Sequence, residues 1–185
     1  MSLPAGYGVR QVLMDPARLS RTLSRMAHEI AERHADIAGT ALVGVRSRGV
    51  PLARRLAALL KKAGGAEPRV GALDITLYRD DFTTLAAQPI LKGTEVPFPI
   101  EGSTVVLVDD VLYTGRTIRG AIEALFGYGR PHRVQLAVLV DRGHRELPIR
   151  PDYVGKNLPT ARSERVNVQL SEVDQVDRIV LLTGE

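Results

Sequence analysis

Residues 105–117 read Val-Val-Leu-Val-Asp-Asp-Val-Leu-Tyr-Thr-Gly-Arg-Thr. The first four are apolar and mostly β-branched, which predicts a strand covered on both faces, as in the middle of a parallel sheet. Asp109 and Asp110 then fall at its carboxyl end, the edge where open α/β sheets bind ligands. Thr114, Gly115, Arg116 and Thr117 precede Ile118, Ala121, Ile122 and Leu125, whose helical spacing puts the turn at a helix N-terminus. N–H groups there lack intrahelical partners and the helix dipole favours negative charge, so the turn suits an anion. Gly115 lets the backbone come close to a phosphate, and the Thr hydroxyls add donors. The two carboxylates repel an anion. They suit instead the vicinal hydroxyls of a ribose, or an Mg²⁺ shell reached through water.

Two plainer readings compete with a ribose 5-phosphate holder. A buried strand with an Asp-Asp helix cap accounts for one acid and leaves the rest of the pattern unexplained. A nucleotide hydrolase could use one acid in a Walker-B manner, but no G-x-x-x-x-G-K-[ST] loop occurs in the chain.

Composition narrows the surroundings. With 185 residues, 44% hydrophobic and 25% charged, the chain fits one globular α/β domain over residues 1–185. No window approaches the roughly 18 uninterrupted apolar residues of a membrane span. The N-terminus lacks the basic and apolar regions of a signal peptide, which predicts a cytoplasmic protein without membrane attachment. Without cysteine there are no disulfides and no thiolate catalysis, and four scattered His make a structural zinc site improbable. A net charge of +4 accommodates phosphate substrates or nucleic acid alike. Only 4% of residues are aromatic and none is Trp, which argues against a base-stacking platform for single strands.

Outward from the decisive stretch, Asp15-Pro16 reads as an N-cap and first helical residue, opening a helix over 15–34. Leu19, Leu23, Met26 and Ile30 form its apolar stripe; Arg18, Arg21, Arg25 and His28 form a basic one, by default a solvated face. Residues 40–45 read as a short strand leading to Arg46-Ser47-Arg48-Gly49-Val50-Pro51 and a helix ending at Gly64-Gly65. Two arginines around Gly49 could form an anion-binding nest, although a basic loop before a helix is common. Residues 70–77 alternate as a strand, and about 78–99 is a long polar loop, either a functional lid or an ordinary surface hairpin. A second buried strand spans 134–140, and a last strand pair lies around 165–170 and 179–182. Such alternation predicts parallel βαβ units with a small hood from the terminal segments, including about 150–170.

The 105–117 stretch resembles the phosphoribosyl-pyrophosphate signature of type I phosphoribosyltransferases throughout. The runs Asp74-Ile75-Thr76-Leu77-Tyr78-Arg79-Asp80-Asp81, residues 136–148 from Leu136 to Asp141-Arg142-Gly143-His144-Arg145 and on to Pro148, and Asp152-Tyr153-Val154-Gly155-Lys156-Asn157 extend the likeness over residues 10–178. They resemble one branch, the bifunctional pyrimidine operon regulators that are also uracil phosphoribosyltransferases. Hypoxanthine-guanine enzymes, close in fold, place a lysine where this chain has Asp141.

The resemblance implies the type I phosphoribosyltransferase fold, a mostly parallel sheet flanked by helices with a small hood and a flexible loop. It implies condensation of uracil with phosphoribosyl pyrophosphate to UMP and pyrophosphate, with Mg²⁺ held through substrate and water and by no protein ligands beyond Asp109 and Asp110. Those two acids and Arg79, on the closing loop, are the implied catalytic residues. Asp109, Asp110, Val111, Leu112, Tyr113, Thr114, Gly115, Arg116 and Thr117 would hold ribose and 5-phosphate, and Ser47, Arg48 and Gly49 the pyrophosphate. Val154 and Gly155, on the hood, would present backbone groups to the base, with Asp141 or Arg142 helping to read it. A second implied activity is UMP-dependent binding of a stem-loop in pyrimidine operon mRNA, so that transcription terminates when pyrimidines are plentiful. Arg21, Ser24, Arg25, His28, Arg33, His144, Arg145, Arg150 and Lys156 map onto that RNA face, with Ser24 where the family usually has Thr. His28 and His144 are assigned only through the resemblance, since nothing in the transfer requires a His base. A homo-oligomer, a dimer or larger, is implied too. The competing expectation is a uracil salvage enzyme alone, its basic face incidental or buried between subunits.

Overall fold

The structure is a computed structural model and describes residues 6–64, 66–76 and 93–184. In chain order the elements are β1 (Tyr7–Met14), α1 (Pro16–Arg33), β2 (Thr40–Val45), α2 (Gly49–Gly64), β3 (Arg69–Leu73) and β4 (Thr104–Leu112). They continue with α3 (Arg116–Phe126), β5 (Arg133–Asp141), β6 (Tyr153–Asn157), β7 (Glu164–Gln169), α4 (Ser171–Asp174) and β8 (Arg178–Gly184). A five-stranded parallel sheet is ordered β3-β2-β4-β5-β6, and a three-stranded antiparallel sheet β1-β8-β7 forms a separate small layer.

The apolar run at 105–108 behaves as its composition demands. Val105 and Leu107 face one side with Val43, Val138, Ile118 and Leu125; Val106 and Val108 face the other with Leu42, Leu52, Met26 and Tyr153. All four β4 residues are at most 1% exposed, because α3 covers one face and α1 with α2 the other. Proline at the first position of α1 and the Asp15 side chain, which accepts a hydrogen bond from Arg18 N at 2.7 Å, start that helix where the sequence placed it.

Several boundaries differ from expectation. β4 does not stop before the acids: pairing with β5 continues to Leu112 opposite Asp141, so Asp109 and Asp110 sit inside the strand. β3 ends at Leu73 because the Asp74 carboxylate accepts from Thr76 N (2.9 Å) and Thr76 Oγ1 (2.6 Å), a local turn that outcompetes the ladder. β1, for which the sequence pattern predicts no element, pairs with β8, a partner too distant in sequence to leave a local signal. Residues 153–157 form the fifth strand of the main sheet, paired with β5, instead of part of the hood. Of the long loop, residues 93–99 are described and Glu95 pairs with Ala72 through two 2.8 Å backbone bonds; the remainder, with Arg79, lies outside the described residues.

Two glycines fix how α2 meets the sheet. A Cβ on Gly49 would stand 2.2 Å from the Val108 carbonyl oxygen, and one on Gly44 would stand 2.5 Å from the Gly49 carbonyl oxygen. The turn after β2 therefore rests directly on the end of β4. Replacing Gly49 with Ala forces backbone apart and is expected to cost about 1–3 kcal/mol, read as a drop of several degrees in Tm. An unchanged melting curve would show that the turn can step back from β4.

Candidate functional site

The site lies where β2, β4 and β5 end. β4 delivers Asp109 and Asp110, and after Tyr113 and Thr114 the chain turns at Gly115, which caps α3 with φ +96°, a left-handed conformation costly for other residues. No acidic residue occupies the first turn of α3, so nothing there opposes an anion. The turn is held from outside. Thr114 O accepts from Glu146 N (2.9 Å) and Leu147 N (3.2 Å), and Tyr113 O accepts from Arg145 Nη1 (2.8 Å). The Arg142 guanidinium lies 4.0 Å above the Tyr113 ring, whose edge meets His144. Arg116 pairs with Glu146 at 2.9 Å.

Asp109 is 6% exposed and Asp110 half-buried. Each carboxylate accepts a backbone N–H, from Asp110 N to Asp109 and from Val111 N to Asp110, both at 2.9 Å. These bonds do not offset burial. Desolvation, then repulsion from Asp110, pushes the Asp109 carboxyl well above its ordinary range; desolvation raises Asp110 as well, with the Arg48 charge pulling it back. A buried acid pair that resists ionisation accommodates a cation or two hydroxyl donors. Among the described residues no group of three or more His, Cys, Asp or Glu is placed to hold a metal. Mg²⁺ fits this donor set as an ion carried mostly by phosphate and water, touching one or two carboxylates.

The second turn carries the Arg46–Ser47 peptide in cis and brings Ser47 to the surface beside buried Gly49. Arg46 bonds Gly93 O and reaches Glu95 at 3.5 Å. Arg48, expected on pyrophosphate, engages Asp174 through Nε (3.1 Å) and Nη2 (2.8 Å). Asp174 is a functional candidate that sequence reading missed: 126 residues separate the pair, so no local pattern announces it.

The residues expected at the base divide. Arg142 is 6% exposed and spends its guanidinium on Thr160 Oγ1 (3.1 Å), Ala161 O (3.2 Å) and Glu164 O (2.8 Å), so it braces the loop before β7. Val154 and Gly155 are on β6, and their carbonyls accept from Arg25 Nη2 at 3.0 and 2.6 Å. Asp141 and Val154 do share a cleft of about 490 Å³ with Gly143, Arg145, Arg150 and Asn157. In it Asp141 accepts from Gly143 N (3.0 Å) and pairs with Arg145.

The basic set is likewise divided. Arg21 and His28 are exposed on α1, Arg150 is exposed, and Lys156 lies half-buried on β6. Ser24 and His28 line a small hollow of about 270 Å³ with Leu59 and Lys62. Arg25 and Arg33 reach backbone carbonyls on and just before the edge strand β6, Arg33 to Asp152 O at 3.2 Å with its guanidinium 5.0 Å above the Tyr153 ring. They close a sheet edge that would otherwise be open to strand addition. Arg145 donates to Tyr113 O, Ile149 O (2.9 Å) and Asp141, and His144 Nε2 meets Thr160 O at 2.6 Å. These four residues thus have internal duties that a solvated or purely RNA-facing assignment does not contain.

A parallel sheet with a glycine-capped turn, an acid pair near the strand end before it and a basic turn on the neighbouring strand defines a phosphoribosyltransferase domain. Residues 14–174 match the phosphoribosyl transferase domain family. Solved structures agree on the fold: the hypoxanthine phosphoribosyltransferase of Trypanosoma cruzi superposes with a TM-score of 0.71 at 20% identity, covering 96% of this chain and 98% of that one. Identity is far higher to the bifunctional protein PyrR of Pelotomaculum thermopropionicum, 58% over 170 residues, covering 92% of this chain and 94% of that protein. PyrR of Thermus thermophilus is 56% identical over 173 residues, covering 94% and 96%. The chain therefore belongs to the phosphoribosyl transferase family, in the branch of the bifunctional PyrR proteins.

An unfolded carboxyl loses its proton near pH ~4, whereas folded Asp109 keeps it to higher pH. Between those values the folded chain binds more protons than the unfolded one, so stability falls as pH rises through that window. Asp109→Asn removes the effect and retains an oxygen for Asp110 N. The ligand-free variant is expected to melt higher than the parent, with a gap that widens as pH rises above the ordinary carboxylate range, while transfer activity collapses. A variant that melts lower at the alkaline end would disprove the electrostatic account.

Proposed function

We propose that this chain is a UMP-dependent mRNA-binding regulator of pyrimidine biosynthesis genes that also catalyses uracil plus phosphoribosyl pyrophosphate to UMP plus pyrophosphate. The observation that carries the reading is the buried Asp109–Asp110 pair beside the glycine-capped turn, in a chain more than half identical to proteins named as bifunctional. In this reading the 5-phosphate rests on the N–H groups and hydroxyls of residues 114–117. Asp109 and Asp110 face the ribose. As the bond from ribose C1 to pyrophosphate oxygen breaks, positive charge builds on the ring and the acids stabilise it more than the ground state. Uracil N1 takes the vacated bond and loses its proton. Mg²⁺, when bound, neutralises charge gathering on the departing pyrophosphate. Ser47, Arg48 and Gly49 hold that group, and Arg79 is the further residue proposed to act on it.

The cleft bearing Asp141, Val154 and Asn157 is proposed for the uracil ring, being large enough for a pyrimidine and supplying both amide and apolar walls. Arg21, Ser24, His28, Arg150 and Lys156 are the proposed RNA contacts, with Arg25, Arg33, His144 and Arg145 shaping that face as well as bracing the fold. Phosphate neutralisation by this set predicts RNA affinity that falls steeply with salt. No helix among the described residues is long and apolar enough to cross a membrane, and action in the cytoplasm, as a dimer or larger assembly, completes the reading.

Two measurements test it side by side. Pyrophosphate release with uracil is expected for the parent and is expected to fall at least ~100-fold in Asp110→Asn; unchanged turnover would reject the acid pair as the centre. Retardation of a pyrimidine-leader stem-loop is expected with UMP and much weaker without it. If UMP makes no difference to RNA binding, the protein is a salvage enzyme only.

A further inference from the structure

The Arg48–Asp174 pair joins the pyrophosphate turn to the hood and stands apart from the surface ion pairs. Arg48 is 18% exposed and the Asp174 carboxylate only 2%. Asp174 is itself fixed, accepting from Leu170 N at 3.0 Å beside the fully buried Leu170 side chain. Burial pushes its carboxyl up, but the Arg48 fork and the Leu170 N–H outweigh that and hold it below the usual range. The acid is therefore a charged, immobile anchor.

Arg48 uses only one edge on this anchor. Nε and Nη2 meet the two carboxylate oxygens, while nothing among the described residues bonds Nη1. The same guanidinium acts electrostatically on Asp110, so it stands between the hood acid and the acid pair of the core. Its backbone is equally constrained, since Gly49 follows it and rests on the Val108 carbonyl. Two helical turns along α2, Arg55 binds the other side of the same hood segment, donating to Glu172 at 2.8 and 2.6 Å and to Asp177 at 3.1 and 2.8 Å. Arg55 docks the hood and bonds neither acid of the pair, which makes it an internal control.

We propose that Asp174 is a positioning residue for the transfer reaction: by gripping one edge of Arg48 it aims the other edge at pyrophosphate bound on the 47–49 turn. A bidentate grip fixes the guanidinium plane, and a planar donor set in advance loses less freedom on meeting phosphate. Removing the carboxylate charge leaves Arg48 in place but lets its head swing. The loss falls on the substrate carrying pyrophosphate and spares the base. The inference rests on the transferase reading above.

Steady-state kinetics on the full chain, varying each substrate in turn, test it together with melting curves. Asp174→Asn keeps an oxygen for Leu170 N and is expected to raise KM for phosphoribosyl pyrophosphate ~10-fold, with KM for uracil unchanged and Tm within about 3 °C of the parent. Asp174→Glu is expected to recover part of the loss. Arg55→Gln is expected to lower Tm and leave both KM values alone. If Asp174→Asn does not fold, Arg48→Lys replaces it, because an ammonium cannot be held as a fork, and the same selective rise is expected. An unchanged KM for phosphoribosyl pyrophosphate overturns the inference, as does Arg55→Gln reproducing the selective rise, which would reduce the pair to hood docking. Absence of turnover in the parent overturns the transferase reading itself.

Discussion

Asp109 and Asp110 are adjacent carboxylates held at the end of a strand whose preceding residues are sealed from water, and neither has a full counter-charge within the described chain. Holding them there costs stability, and the surrounding packing supplies it. β4 is the central strand, covered on both faces, so its end cannot relax outward. Gly49 presses a second turn against the same end. The strain is electrostatic and is relieved by whatever brings cationic charge or hydroxyl donors to the pair.

Arginine links the remaining pieces. Arg25 and Arg33 close the open edge of β6. Arg142 and Arg145 tie the segment after β5 to the turn before α3 and to the start of β7. Arg48 and Arg55 hold the hood to α2. The guanidinium fork suits this work because it remains charged when partly buried and satisfies two acceptors with fixed geometry. A moderately basic chain thus directs much of its positive charge inward, and the face left for an anionic polymer is smaller than a count of Lys and Arg suggests.

One consequence joins the two activities. β6 carries Val154 and Gly155, whose carbonyls bind Arg25 on α1, and its far end pairs with Asp141 in the cleft proposed for the base. The cleft proposed for the base and the basic helix therefore share one short strand as a common wall. A ligand that shifts β6 acts on both.

Local sequence determined a good deal. The apolar run at 105–108 specified a central parallel strand because only a doubly covered position tolerates such continuity. Gly115 before an apolar helical repeat specified a left-handed turn opening a helix, and Asp15-Pro16 a helix start, since capping and left-handed backbone depend on few neighbouring atoms. Tertiary structure alone decided what each charge does. The pairing of β1 with β8, the place of β6 in the main sheet, the Arg48–Asp174 grip and the contacts of Arg25, Arg33, Arg142 and Arg145 with backbone carbonyls join residues remote in sequence. A long charged side chain reaches whichever acceptor folding brings near, and that acceptor leaves no mark on the residues beside it.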